Sequence, residues 1–408
     1  MFKRKYQAVT LQDKPTIVDI ETGQISIDPQ LLFQRFIVAA DSIYEDKAEI
    51  FAYELSSQPS SMFDSSGFMR SAQKSTLVDA IWNVGDCSAE YKENSYNYVV
   101  DGGSLMHKIP WQYGSTFGEI CQKYVHGSES VIVVFDGYVS GPNTKDATHL
   151  RCTKGIFGTK VSFTETTPFR SKKEAFLANS ENKQNFILML RRILDSNGIE
   201  TKKAPSDADL LPTTTDVQSS ITRPTIILGE DTDLLILLLY YYECGSMQLI
   251  FRPNHDKKTV KSKIWDIGKT TCLLGQETCK VISVIRAISG CDTTSKLYGV
   301  GKRAALKKFM DSQTLKELRD VFLKISQMED IIKSGERIIT NLYGGVPSES
   351  LNVLGYKKFA TKVVTSKEVI QIHALPPTSK AAVYHDLRVY YQNQIWIGGL
   401  ELDVCEFG

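Results

Sequence analysis

Pairs of aspartates two residues apart are the chemically most suggestive feature of this sequence. The segment TIILGED leads from an apolar stretch to Asp231 and Asp233, and the segment APSDADL supplies Asp207 and Asp209. Carboxylate oxygens are the ligands that Mg²⁺ takes in proteins. The alternative interpretation is helix capping, because Asp is favoured at the N-cap and in the first helical turn. Only the capping interpretation requires a helix to begin at each pair.

Three more aspartates follow apolar segments. NYVVD ends at Asp101, VIVVFD ends at Asp136, and the apolar helical pattern CKVISVIRAIS precedes Asp292. If all seven carboxylates met, each pair of charges about 4 Å apart would repel by about 4 kcal/mol at an effective dielectric near 20. Hard divalent cations would offset this repulsion, and two ions about 4 Å apart suit phosphodiester hydrolysis. The acidic residues therefore predict a metal site, provided that the fold brings them together.

The elements around these residues predict how they are positioned. The apolar segments near 97–103, 130–144 and 225–231 do not alternate with polar residues, and helical patterns separate them. Such strands are typical of a parallel sheet that is covered on both faces, with ligands at the carboxyl ends of its strands. One of the helical patterns is Lys172–Leu194, whose predicted core face holds Phe176, Phe186, Ile187, Leu190 and Leu194. The sequence thus predicts an α/β fold.

A glycine-rich turn and a basic helix follow Asp292. In GVGKRAALKKF, Gly299 and Gly301 allow a tight turn, and the following helix begins with exposed N–H groups that suit a phosphate. Lys302, Arg303 and Lys307 are the predicted phosphate contacts on this helix. The alternative is a basic helix face that only contacts water.

Composition limits the function classes. The chain has 408 residues, 42% of them hydrophobic, and a net charge of +1, so it is not a uniformly basic nucleic-acid protein. Its eight cysteines are scattered, which is typical of a reduced intracellular protein, and the sequence does not decide between nucleus and cytoplasm. The longest apolar run, Leu234–Tyr242, is too short to span a bilayer, so we expect no membrane partner.

The order of these motifs resembles the flap-endonuclease branch of the PIN-like structure-specific nucleases. The motifs are a strand-ending Asp, VFDG, APSDAD, GEDTDLL, and SGCD followed by GVGKRAALKKF. The resemblance covers roughly residues 96–310. It implies a parallel twisted sheet flanked by helices, a helix–two-turn–helix element near 279–310, and two Mg²⁺ or Mn²⁺ ions. The implied metal ligands are Asp101, Asp136, Asp207, Asp209, Asp231, Asp233 and Asp292.

The resemblance also assigns roles within the site. The first four carboxylates would surround one ion, and Asp231, Asp233 and Asp292 would hold the other. Lys145 and Arg151 would contact the scissile phosphate from the basic stretch 145–173. We accordingly expect an N-terminal extension (1–95) packed on the core, a nuclease core (96–310) and a C-terminal helical extension (311–408).

Two departures from the family pattern bear on catalysis. The APSDAD motif has Asp where the family prefers the longer Glu, and Pro212 interrupts the segment where the family continues a helix. The main hypothesis is a metal-dependent nuclease that acts on branched or single-stranded ends of DNA or RNA. The alternative is a PIN-like scaffold that binds nucleic acid or protein without catalysis. A third reading, a DxD glycosyltransferase, would give Asp292 no role.

Overall fold

The structure, a computed structural model, describes residues 16–20, 23–27, 29–39, 49, 51–92, 96–125, 131–135, 158–203, 220, 222–253 and 263–398. The chain forms two compact units. The sheet unit comprises 72–294, 302–326 and 388–408, and the helical unit comprises 1–71, 295–301 and 327–387. Each unit is therefore assembled from segments that are distant in sequence. The contiguous division at residues 95 and 310 stays a prediction.

A six-stranded sheet forms the centre of the sheet unit. Its strands are β3 (Asn97–Asp101), β4 (Val131–Phe135), β5 (Glu200–Lys203), β6 (Thr225–Leu228), β7 (Leu249–Arg252) and β8 (Trp265–Asp266). Their spatial order is β5-β4-β3-β6-β7-β8, and all neighbouring pairs are parallel except β7 and β8. The three strands predicted from apolar runs are adjacent at the middle of this sheet, and the predicted α/β fold with a parallel sheet at its centre is confirmed.

Helices cover this sheet. They are α2 (Ser75–Trp82), α3 (Gly102–Lys108), α4 (Phe117–Gln122), α5 (Lys173–Leu177), α6 (Ser180–Ser196), α7 (Thr232–Tyr241), α8 (Ile267–Leu274), α9 (Gln276–Ile288), α10 (Lys302–Asp311), α11 (Gln313–Leu318) and α12 (Asp320–Leu323). Six of the ten residues of α7, Leu234–Leu239, are buried apolar side chains, so this helix lies inside the unit. Within the described residues, no helix is long and apolar enough to cross a bilayer.

The helix predicted over Lys172–Leu194 is two helices in the structure. Asn179 separates α5 from α6, because its side chain accepts a hydrogen bond from the backbone N–H of Asn182 and caps the second helix. The predicted core face is nevertheless buried, and Phe176 and Phe186 pack around Trp111 beneath β3 and β4. The break therefore leaves the apolar face intact.

The helical unit contains a short antiparallel hairpin and long helices. Its elements are β1 (Thr16–Ile20), β2 (Gly23–Ile27), α1 (Pro29–Ala39), α13 (Met328–Leu342), α14 (Leu351–Thr365), a 3₁₀ turn (Ile372–Ala374) and the first half of α15 (Ser379–Trp396). One of its buried apolar clusters comprises Phe51, Phe359, Val363, Ile370 and Leu375. Within the predicted C-terminal helical extension, residues 313–342 form α11, α12 and α13.

Candidate metal centre

The turn from β6 into α7 places two carboxylates at the carboxyl end of a central strand. Gly229 follows β6 where space is short, since a Cβ there would lie 2.8 Å from the Leu234 side chain. Asp231 is the N-cap of α7, and its Oδ1 accepts a hydrogen bond of 2.9 Å from the backbone N–H of Asp233. Capping therefore does explain one aspartate of the pair, and Asp233 lies in the first turn of the helix.

Asp292 joins this pair from the loop after α9. Asp231, Asp233 and Asp292 each offer a carboxylate oxygen, and these oxygens lie within 4.8 Å of one another. We call these three residues the carboxylate cluster. Burial, together with the neighbouring Asp233 carboxylate, raises the pKa of Asp231 above its usual range. The sheet thus concentrates negative charge where the resemblance placed one metal ion.

Lys74, just before α2, faces all three carboxylates. Its Nζ lies 2.6 Å from Asp292, 3.6 Å from Asp231 and 3.9 Å from Asp233. Partial burial lowers the pKa of Lys74, but the three carboxylates outweigh that effect and hold it above its ordinary value. The ammonium is therefore charged and offsets part of the repulsion within the cluster.

A second cation approaches from α9. The Arg286 side chain is 0% exposed; its Nε donates to Asp233 and its Nη1 donates to the Gly290 carbonyl at 2.8 Å. Burial lowers the pKa of Arg286, but Asp233 outweighs this and holds it above its usual value. Removing either partner would leave the other charge buried without compensation.

Lys302, a predicted phosphate contact, lies inside the unit. It is only 3% exposed, and its Nζ has no hydrogen-bond partner among the described residues. Burial, and then the Arg286 charge, lower its pKa to about 7. The prediction that Lys302 contacts a phosphate at the surface is corrected, because the first turn of α10 points this side chain inward.

The other residues predicted on α10 are on its exposed side. Arg303 and Lys307 are exposed and four residues apart, so they share one face of the helix. Gly299 and Gly301 are also exposed, and Gly299 adopts a φ of +78°, which only glycine adopts readily. These residues are accessible to a ligand, and nucleic-acid contact by them stays a prediction.

The residues predicted to surround a first ion are only partly described. Asp101 ends β3 and caps α3 by accepting hydrogen bonds from Gly103 N (2.8 Å) and Ser104 N (3.2 Å). Its Cβ would lie 3.8 Å from a Cβ added to Gly229, so it is close to the end of β6. Asp136, Asp207, Asp209, Pro212, Lys145 and Arg151 lie outside the described residues.

The chemistry of the cluster fits a hard divalent cation. Three carboxylate oxygens within 4.8 Å resemble the all-oxygen ligand sets of Mg²⁺ and Mn²⁺. Lys74 is the obstacle, because its ammonium lies among the same oxygens. Its side chain is 38% exposed and so can leave towards solvent, whereas the buried Arg286 cannot. The cluster therefore accommodates an ion once Lys74 has moved.

Sequence reasoning missed both cations that contact the cluster. Arg286 did leave a signal, since it is a lone arginine within the apolar pattern VISVIRAIS, six residues before Asp292. A charge in a buried helix needs a partner, and the nearest acids were those of the predicted site. Lys74 left no comparable signal, because residues 71–74 have neither a strand nor a helix pattern that would direct the side chain.

Comparisons with known proteins give limited information. A scan against protein-family models found no match, and a search of curated proteins found none either. Among solved structures, the catalytic core of Rad2 in complex with DNA substrate matches at 15% identity, with 74% of this chain and 89% of that chain covered and a TM-score of 0.31. Human GEN1 in complex with Holliday junction DNA matches at 12% identity, with 78% and 73% covered and a TM-score of 0.33.

Both matches are too distant to decide whether the predicted resemblance to PIN-like nucleases of the flap-endonuclease type is correct. Identities this low bear on the fold alone, and at these TM-scores the likeness carries no argument about the site. The case for function therefore depends on the chain's own residues.

Proposed function

We propose that this protein is a divalent-metal-dependent phosphodiesterase that cleaves nucleic acid. The observation that carries the proposal is the convergence of Asp231, Asp233 and Asp292 at the carboxyl end of a central parallel strand. Asp292 contributes from a different element, which a DxD glycosyltransferase would not require. The convergence of all three acids favours a hard-metal site over simple helix capping.

The described residues have separable tasks in such a reaction. Asp231, Asp233 and Asp292 would hold Mg²⁺ or Mn²⁺. A bound ion supplies positive charge for the attacking and leaving oxygens of the phosphodiester. Arg286 pairs with Asp233 from inside the unit and would hold this carboxylate in place. Arg303 and Lys307 are exposed and would attract the phosphate backbone without reading its sequence.

Several finer parts of the proposal extend beyond the described residues. We propose a second ion held by Asp101, Asp136, Asp207 and Asp209, with Lys145 and Arg151 contacting the scissile phosphate. We also propose that the substrate is a branched or single-stranded end of DNA or RNA, and that the protein acts in the nucleus or the cytoplasm. Tagged expression and imaging would test the location.

Cleavage assays test the activity. Labelled 5′-flap, single-stranded and duplex substrates, each as DNA and as RNA, are incubated with Mg²⁺ and the full chain. We expect Asp231→Asn and Asp292→Asn to reduce the rate by about 100-fold or more, because each removes a charged ligand. Glu230→Gln is the matched control, since Glu230 is exposed and adjacent to Asp231 but lies outside the cluster. Equal rates in all four proteins would refute the catalytic role of the cluster.

The second candidate is a scaffold that binds nucleic acid without cleaving it. It is favoured by the two protein cations, Lys74 and Arg286, which already offset the charge of the cluster. The scaffold predicts that the chain binds labelled DNA or RNA with the usual salt dependence. It also predicts that no substrate is cleaved and that Asp292→Asn leaves binding unchanged.

A further inference from the structure

The two cations at the carboxylate cluster differ in how firmly they are held. Arg286 is fully buried, and its guanidinium bonds both Asp233 and the Gly290 carbonyl, so leaving would expose an uncompensated Asp233. Lys74 belongs to the N-terminal end of α2, and its side chain is 38% exposed. Its four-carbon stem can rotate into solvent, where the ammonium is well hydrated. Only Lys74 is therefore in a position to exchange with a solution ion.

The formal charges of the cluster support such an exchange. Three ionised carboxylates and the Arg286 guanidinium leave two negative charges, which match one divalent cation. With the Lys74 ammonium in place, only one negative charge is left uncompensated. The contact between Lys74 and Asp292, at 2.6 Å, also uses an oxygen that a metal ion would bind. Lys74 therefore opposes metal binding both by charge and by position.

We propose that Lys74 is a displaceable internal cation, which occupies the carboxylate cluster in the metal-free protein and must leave before a divalent ion binds there. This inference rests on the proposed function, since it concerns the same site. Because Lys74 must leave first, this side chain limits the affinity of the carboxylate cluster for metal. Without metal, the Lys74 ammonium also stabilises the arrangement of the cluster, because it offsets the repulsion among the three acids.

Metal titration tests the inference. Mn²⁺ binding to the full chain is followed by electron paramagnetic resonance for the wild type, Lys74→Met and Lys263→Met. We expect Lys74→Met to bind Mn²⁺ about tenfold or more tightly, because no ammonium has to be displaced. Lys263→Met is the matched control, since Lys263 also contacts an aspartate, Asp79, but one outside the cluster. Adding Asp292→Asn to Lys74→Met should abolish the gain, which assigns it to this cluster.

A second measurement uses only the wild-type protein and so does not depend on a variant that folds. Lysines are acylated with an amine-reactive reagent, without metal and with saturating Mn²⁺, and Lys74 is quantified by peptide mass spectrometry. We expect the labelling of Lys74 to rise severalfold with Mn²⁺, because the released amine is exposed and no longer held by carboxylates. The labelling of Lys263 should not change.

The outcomes separate this inference from the proposed function. Equal Mn²⁺ affinities in the wild type and Lys74→Met, or metal-independent labelling of Lys74, would overturn the role of Lys74 and leave the nuclease proposal standing. Tighter Mn²⁺ binding by Lys74→Met without cleavage of any substrate would support the inference and count against the nuclease. An absence of Mn²⁺ binding in every variant would overturn both.

Discussion

Asp233 in the sheet unit and Asp386 in the helical unit are both carboxylates with almost no access to water, at 4% and 0% exposure. Asp233 faces the Arg286 guanidinium and lies 3.9 Å from the Lys74 ammonium. Asp386, on α15, has no hydrogen-bond donor to either oxygen among the described residues. The Asp386 carboxylate lies close to Gly335 on α13, and the Glu336 carboxylate on the same helix repels its charged form. The two acids are thus buried under opposite electrostatic conditions.

The difference separates a buried acid that faces cations from one that faces another acid. Burial and then Glu336 raise the pKa of Asp386 well above its ordinary value, so this group is stabilised in its neutral form. Asp233, in contrast, contacts the Arg286 guanidinium and lies near the Lys74 ammonium. A buried acid with cations beside it is a candidate for chemistry. A buried acid without them belongs to the packing of the helical unit, where Gly335 is small enough to accommodate it.

The largest expected effect comes from breaking the charge compensation at Asp233. Arg286→Met would leave this buried carboxylate without its guanidinium, and we expect a loss of about 3–5 kcal/mol in the free energy of unfolding. Urea denaturation of the full chain measures it. Asp233→Asn in the Arg286→Met background should recover part of the loss, because the uncompensated charge is gone. Additive losses in the double variant would mean that the two side chains do not stabilise each other.

A smaller effect of opposite sign is expected in the helical unit. Since the folded pKa of Asp386 is raised, its contribution to stability is full below the unfolded value of 3.8 and is lost as the pH rises towards the folded pKa. The Asp386→Asn variant has no carboxyl group to ionise here, so it does not lose stability in this way as the pH rises. We expect the variant to gain about 1–3 kcal/mol over the wild type between pH 4 and pH 8. A difference in unfolding free energy that is independent of pH would show that Asp386 is ionised in the folded protein.

The smallest of the three effects concerns Lys302, the buried cation without a hydrogen-bond partner among the described residues. Its folded pKa of about 7 lies below the unfolded value of 10.5, so the wild type gains stability as the pH rises from 7 to 10.5. Lys302→Met should be more stable than the wild type by about 1 kcal/mol near pH 6 and should lose this advantage as the pH approaches 10.

Arg303→Met is the control for Lys302→Met, because Arg303 is the exposed neighbour on the same helix and should show no such pH profile. A destabilised Lys302→Met at pH 6 would indicate that Lys302 is a needed third cation for the cluster. That result would add a third compensating cation beside Asp233, and so would enlarge the difference from Asp386.

Much of the sheet could be predicted from the sequence. Unalternating apolar runs within 97–103, 130–144 and 225–231 predicted three strands, which the structure places at Asn97–Asp101, Val131–Phe135 and Thr225–Leu228, since strands buried on both faces lack alternating polar positions. The carboxyl-end rule then predicted that Asp231 would meet carboxylates from other elements, and Asp292 is one of them. The inward direction of the Lys302 side chain was not predictable, because Lys302 is the direct sequence neighbour of Arg303, which is exposed on the same helix.

The sequence by itself determined which acids are available and that a parallel sheet presents some of them together, because apolar periodicity and chain order are local properties. Only the tertiary structure decided how their charge is compensated. Lys74 and Arg286 are 212 residues apart in the chain, and although the lone arginine in VISVIRAIS signals a need for a partner, no local pattern specifies that both cations face Asp233. Charge pairing over such distances depends on how whole elements pack, and here that packing supplied protein cations where the sequence had suggested metal ions.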